Sequence, residues 1–180
     1  MQGEKAVFGS EKMDWGTPEE FLVYLKEELG FEPTLDVAAS HHDAKAPAYY
    51  TEELNGLLQP WEGVVWCNPP YGRHIRTWIE KAIDEIRFIR RPGDEILMLI
   101  PARTDTKFFH DAIWKWATDI YFIKGRMNFT LHGREKLDRS KGNAPFPSML
   151  VRFTLEGTQR FRPPTVSTLE PTPHERGWSS

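Results

Sequence analysis

The chain has 180 residues, 39% of them hydrophobic, with seven Trp and eleven Phe, which is enough for one domain with its own core and excludes a chain disordered throughout. A formal net charge of −3 argues against a protein that coats nucleic acid through bulk charge. No apolar run is long enough to span a bilayer, no signal-peptide pattern is visible, and the lone Cys67 can close neither an internal disulfide nor a zinc site by itself, so a cytoplasmic location is expected.

Residues 1–14 show no period and are expected to be flexible. Thr17-Pro18-Glu19-Glu20 then reads as a helix start, with Thr17 as cap and Pro18 at the first helical position. Phe21, Leu22, Leu25 and Leu29 follow near helical spacing and Gly30 stops the helix. Residues 33–39 read as a short buried strand ending in small residues. Residues 40–60 are irregular, with a possible short strand at 48–51. Gly63 to Cys67 is a strand, Arg73 to Arg90 a helix, and Glu95 to Ile100 a strand buried on both faces. Asp105 to Ala117 reads as a helix and Ile120 to Ile123 as a strand. Residues 130–145 form a polar, basic loop; from Lys124 to Lys141 there are six Lys or Arg against Glu135 and Asp138, a local excess of +4. Ser148 to Phe153 is the last expected strand. Beyond Leu155 the chain is rich in Pro, Thr, Ser and Glu, and 156–180 is expected to be a disordered, mobile tail.

Strands alternating with helices indicate an open α/β sheet. Such sheets bind ligands beyond the carboxyl ends of their strands, where the strand order switches. Two motifs lie at such ends: Asp36-Val37-Ala38-Ala39-Ser40 and Asn68-Pro69-Pro70-Tyr71. The second has a clear chemical reading. Asn68 offers a carbonyl oxygen, Pro69 and Pro70 have no N–H to compete, their carbonyls are stiffly aimed, and Tyr71 supplies a flat face. Together they suit a planar ring bearing an exocyclic amine.

The tetrapeptide resembles motif IV of the S-adenosylmethionine-dependent amino methyltransferases. From Trp15 to Phe153 the wider pattern is similar to the phage-type DNA N6-adenine methyltransferases of the Dam group. It is carried by Trp15-Gly16-Thr17-Pro18, Leu35 to Ser40, Tyr50-Thr51 with Asn55-Gly56-Leu57, Trp61, Trp66 to Arg73, Ile100 to Thr106 and Ala144 to Ser148. The resemblance implies a single Rossmann-like methyltransferase domain over 15–155, S-adenosylmethionine as cofactor, no metal, and double-stranded DNA with a flipped base as partner, in a bacterial or phage-infected cell. It implies that Asn68, Pro69, Pro70 and Tyr71 hold the adenine. Trp15, Thr17, Pro18, Asp36, Ala38 and Asn55 would line the cofactor. The usual Gly-rich turn is replaced by Ala38 and Ala39. Only 31 residues lie between Asp36 and Asn68, so the sheet is expected to be truncated and the ribose ligand is left open.

Blander readings stand beside these. Thr17-Pro18 is also a helix start, Asp36 also a turn cap, and Asn55-Gly56 also a turn. Arg73, Arg76 and Arg103 near the strand ends are ion-pair or phosphate-contact candidates, and Arg134, Lys136, Arg139 and Lys141 of the basic loop are candidates for DNA contact. His41-His42-Asp43 lacks the partner cluster a metal would need. The same amine-holding corner would also serve an RNA base or a protein glutamine, and the missing Gly-rich turn leaves open a nucleic-acid-binding module without catalysis.

Overall fold

The computed structural model describes residues 15–89, 92–131, 134–136, 144–156 and 162–171. Its centre is a seven-stranded sheet. In chain order the elements are β1 (Trp15–Gly16), α1 (Glu19–Leu29), β2 (Leu35–Asp36), β3 (Ala48–Tyr49), a 3-10 turn (Gly56–Leu58), β4 (Val64–Cys67), α2 (Ile75–Ile89) and β5 (Glu95–Pro101). A π-helical turn (Phe109–Ile113) and α3 (Trp114–Trp116) follow, then β6 (Asp119–Ile123), β7 (Thr130–Leu131), β8 (Arg134–Lys136), β9 (Ser148–Thr154) and β10 (Thr165–Leu169). The large sheet has the order β10-β6-β9-β5-β4-β2-β3, and a small sheet has the order β1-β7-β8. Six strands of the large sheet share one direction; β9 alone runs against its neighbours β5 and β6.

The alternating side chains of the central strands feed two cores. Val65, Cys67, Ile96, Met98 and Ile100 face one side, where α2 packs through Ile75, Trp78, Ile79, Ala82 and Ile83. Trp66, Leu97 and Leu99 face the other, where Phe21, Tyr24 and Leu25 of α1 meet Met127 and Phe129. Each fully buried Leu or Phe contributes about 2 kcal/mol of transfer free energy. The period of the apolar positions in α2 is thus the direct cause of its seat on the sheet.

The segment between β2 and β4 has one short strand and a 3-10 turn but no α-helix, which is the truncation the sequence spacing implied. Three expectations need correction. Helix α1 is capped by Pro18 with no side-chain bond, so Thr17 is not its cap, while Gly30 does close it in the left-handed conformation at φ 65°. The basic segment 130–145 is not simply a loop, since β7 and β8 form an antiparallel hairpin that extends β1. Arg-Glu-Lys carries no alternation of apolar and polar side chains, so nothing in its pattern announces a strand. Within 156–180, Thr165–Leu169 is not a tail but pairs parallel with β6 along its whole length. Its β-branched residues were masked by the surrounding prolines. Residues 1–14 and 172–180 lie outside the described residues, as do 137–143 of the basic segment.

Candidate active site

β2 is flanked by β3 on one side and β4 on the other, and from β4 the chain moves on to β5. The strand order therefore reverses between β2 and β4, and beyond the carboxyl ends of strands at such a reversal is where an open α/β sheet places its ligand crevice. The Val37 N–H donates to the Trp66 carbonyl at 3.1 Å, so the pairing runs up to the mouth of the crevice. Directly beyond it on the β4 side stand Asn68, buried Pro69 and exposed Pro70.

Asn68 is held at both ends of its amide. Its Nδ2 donates to Thr17 Oγ1 at 3.3 Å, and the Tyr71 hydroxyl donates to its Oδ1 at 2.8 Å. The Leu99 carbonyl lies 3.3 Å from the same phenol oxygen. Burial pushes the Tyr71 phenol well above its ordinary pKa, with Cys67 adding to the effect, so the hydroxyl is a donor throughout the working range. The Tyr71 ring stands nearly perpendicular to Phe146 at 5.3 Å and to Phe129 at 6.1 Å. A carbonyl oxygen has two acceptor directions, and the bond from Tyr71 uses one of those on Asn68 Oδ1. The same burial raises the Cys67 thiol, so the one cysteine is no nucleophile here.

Asp36, on the other lip, is 3% exposed. Its two oxygens accept from the Ala38 N–H at 3.1 Å and the Lys45 N–H at 2.9 Å, which folds the segment after β2 back on itself. Desolvation raises its pKa from 3.8 to about 6, against the lowering effect of those two N–H groups. Burial also opposes the charge of Lys45, but bonds to Asp43 and to Glu19 (2.6 Å) more than offset it. The raised Asp36 value has a definite sign. The folded state holds the proton more tightly than the unfolded chain, so this contribution to stability is full below about pH 3.8 and is lost as pH rises through about 6. Urea unfolding of wild type and Asp36→Asn at pH 4 and pH 7 is expected to show the difference between them moving by roughly 2 kcal/mol, with wild type relatively weaker at pH 7. A difference that does not change with pH contradicts the assignment.

Asn55 is exposed and adopts a left-handed backbone at φ 53°. Its Oδ1 accepts from the Leu57 N–H at 3.3 Å and so closes the 3-10 turn. Gly56 presses on the lip after β2, since a Cβ on it would lie 2.0 Å from the Val37 carbonyl oxygen. Ala38 and Ala39 are half-buried there, and the Ala39 N–H donates to the Tyr50 carbonyl at 3.0 Å.

The structure thus joins Thr17, Asn68 and Tyr71 by direct hydrogen bonds and sets Asp36, Ala38 and Asn55 on the opposite lip. Trp15 enters through its strand, one residue before Gly16. Arg73 and Arg103 are exposed at the ends of β4 and β5. Arg76 is engaged with Glu80 at 2.7 Å. Arg134 and Lys136 belong to β8, and Arg139 and Lys141 lie outside the described residues. His41 bonds Tyr49 at 3.3 Å, and no group of three or more His, Cys, Asp or Glu able to hold a metal occurs among the described residues. Sequence reading missed Phe129 as a neighbour of Tyr71. It also gave no role to Phe146, which it had noted only within Ala144 to Ser148. Among the described residues no helix is long and apolar enough to cross a membrane.

A sheet with one reversed strand between β5 and β6, and an Asn-Pro-Pro-Tyr corner at its switch point, is a Rossmann-like methyltransferase fold. Residues 6–168 match the family DNA N-6-adenine-methyltransferase (Dam), and the chain belongs to that family. It is 32% identical over 123 residues to the DNA N-6-adenine-methyltransferase of Escherichia phage T1, which covers 67% of this chain and 49% of that protein. It is 27% identical over 147 residues to the protein of the same name from Haemophilus phage HP1, covering 80% of each. The chain therefore spans about half the length of the first of these relatives.

Proposed function

We propose that the protein transfers a methyl group from S-adenosylmethionine to the N6 amine of adenine in DNA. The observation that carries this reading is the Asn68 amide, fixed by Thr17 and Tyr71 at the switch point of the sheet in a member of this family. The residues present fit such a donor. The lip after β2 is made of small side chains, and the Asp36 carboxylate is committed to backbone N–H groups rather than thrust into the crevice. Pro18, Ala38 and Asn55 are the residues that would border the donor. When bound, S-adenosylmethionine would supply an electrophilic methyl carbon, its bond to the sulfonium sulfur breaking as the bond to N6 forms, with the neutral thioether S-adenosylhomocysteine leaving and one proton lost from N6 to solvent.

The chain's own part is positioning. Oδ1 of Asn68 and the Pro69 carbonyl accept the two amine hydrogens, which draws the nitrogen lone pair out of conjugation with the ring. Tyr71 stacks on the base. The target adenine has to leave the duplex to reach this corner. Arg73 and Arg103 on the rim contact flanking phosphates, which makes binding salt-dependent.

Incubation with isotopically labelled donor and duplex DNA, RNA or protein, followed by digestion to nucleosides and amino acids, tests this. The label is expected in N6-methyladenine from DNA. Label confined to RNA or to glutamine overturns the substrate assignment.

A further inference from the structure

The carboxyl-end face of the large sheet carries charge of two signs, sorted by strand. Beyond β3 stand Glu52 and Glu53, both exposed, and the lysine between β2 and β3, Lys45, is held by Glu19 and Asp43. Beyond the other parallel strands the sign changes. Arg73 follows β4, Arg103 and Lys107 follow β5, and Arg126 follows β6, all of them exposed. The acids on this side are Asp105, Asp111, which stands near Arg76, and Glu80 and Glu170, which bind Arg76 at 2.7 Å and Lys124 at 3.0 Å.

Pairing separates these four cations from the rest. Lys26, Lys45, Lys81 and Arg152 are in ion pairs, like Arg76 and Lys124, while Arg87 and Lys115 lie over the Trp116 ring. Among the described residues, Arg73, Arg103, Lys107 and Arg126 have neither kind of partner; the same holds for Arg162, which stands at the opposite end of the sheet, ahead of β10. A free cation meets a phosphate without first giving up a carboxylate, and the association is driven by release of counterions from the duplex. From β4 to β6, across β5 and β9, there are three strand spacings, about 14 Å. That is close to the roughly 12 Å width of the major groove, so cations at the two ends of the span can meet phosphates on both sides of one groove.

We propose that duplex DNA docks along the β4-to-β6 side of the carboxyl-end face, with its phosphates held by Arg73, Arg103, Lys107 and Arg126, and that the acidic β2–β3 side is left to the cationic methyl donor. This rests on the reading of DNA as substrate given above, and adds Lys107 and Arg126 to the contacts named there. Asn68 follows β4, at one end of the span, so the duplex runs from the base-holding corner towards β6.

The test measures binding of the whole chain to a fluorescent duplex of about 20 base pairs, by anisotropy across a salt series. Lys107→Ala/Arg126→Ala is expected to flatten the slope of log K against log salt by about 1.8, and to weaken binding about thirtyfold at about 0.1 M salt. Lys26→Ala/Lys124→Ala removes the same formal charge from paired positions, and is expected to leave the slope within about 0.4 and the affinity within about threefold of wild type. All four positions are exposed, so thermal melts are expected to stay close to wild type. A Lys107→Ala/Arg126→Ala protein with the wild-type slope overturns the proposal, as does a control that falls as far. An RNA duplex of the same sequence bound more tightly than the DNA overturns the choice of partner. If wild type labels no adenine in DNA while the two double variants still differ in slope, the function reading fails and the docking surface stands; if adenine is labelled and the slopes agree, the reverse holds.

Discussion

Asn68→Ala is expected to lower methyl transfer to adenine by about 1,000-fold or more, while S-adenosylmethionine binds within about threefold of wild type. In the proposed reaction the loss is large because the missing oxygen would accept from the amine as its electron pair is released, an interaction that strengthens towards the transition state. The fold is expected to survive the change. The Tyr71 hydroxyl keeps an acceptor in the Leu99 carbonyl, 3.3 Å away, and the Thr17 oxygen loses one neutral donor. The stability cost is therefore about 1 kcal/mol, far below the kinetic effect. Single-turnover kinetics, calorimetric titration with the donor and a thermal melt separate the three quantities. A variant that turns over at nearly the wild-type rate removes Asn68 from the reaction.

Gly56→Ala is expected to be the most damaging single-methyl change to the fold near the site. The new Cβ would fall 2.0 Å from the Val37 carbonyl oxygen, a backbone atom that cannot swing aside as a side-chain tip can. Either the 3-10 turn lifts off the lip or the end of β2 moves. Lifting also strains the bond from Trp61 Nε1 to the Gly56 carbonyl, 2.8 Å long and buried. The expected cost is about 3 kcal/mol, or roughly 8 °C in Tm for a chain of this size. Donor affinity is expected to fall with it, since Asn55 and Ala38 are placed by this contact. An unchanged melt would mean that the turn does not rest on Val37.

Much of this was legible in the chain and some was not, for definite reasons. The central strands β4, β5 and β9 and helix α2 carry long apolar patterns, so packing and propensity point the same way. The Asn-Pro-Pro-Tyr corner was legible because two prolines after an apolar strand have few other uses. Strands β8 and β10 were hidden because neither shows an apolar alternation: Arg-Glu-Lys is wholly polar in sequence, and of Thr165 to Leu169 only Leu169 is buried. The helix expected over Asp105 to Ala117 is present as a continuous helical run over 107–116, but its middle, Phe109–Ile113, is π-helical, and the Thr106 hydroxyl stands at its start, 3.4 Å from the Phe109 nitrogen. The bond between Thr17 and Asn68 was beyond sequence reading altogether, because local rules assign Thr-Pro-Glu-Glu to a helix start and say nothing of a partner 51 positions away.

The last of the hidden strands protects the molecule from its own kind. Without it, β6 would present unpaired backbone groups beside Tyr121 and Phe122, a ready template for a neighbouring chain. β10 satisfies those groups and offers in their place a rim bearing the hydroxyls of Thr165, Ser167 and Thr168, all well exposed. β10 is now the edge, but it is five residues long and bordered by Pro164 and Pro171, and a short edge flanked by prolines is a poor template for a neighbouring chain.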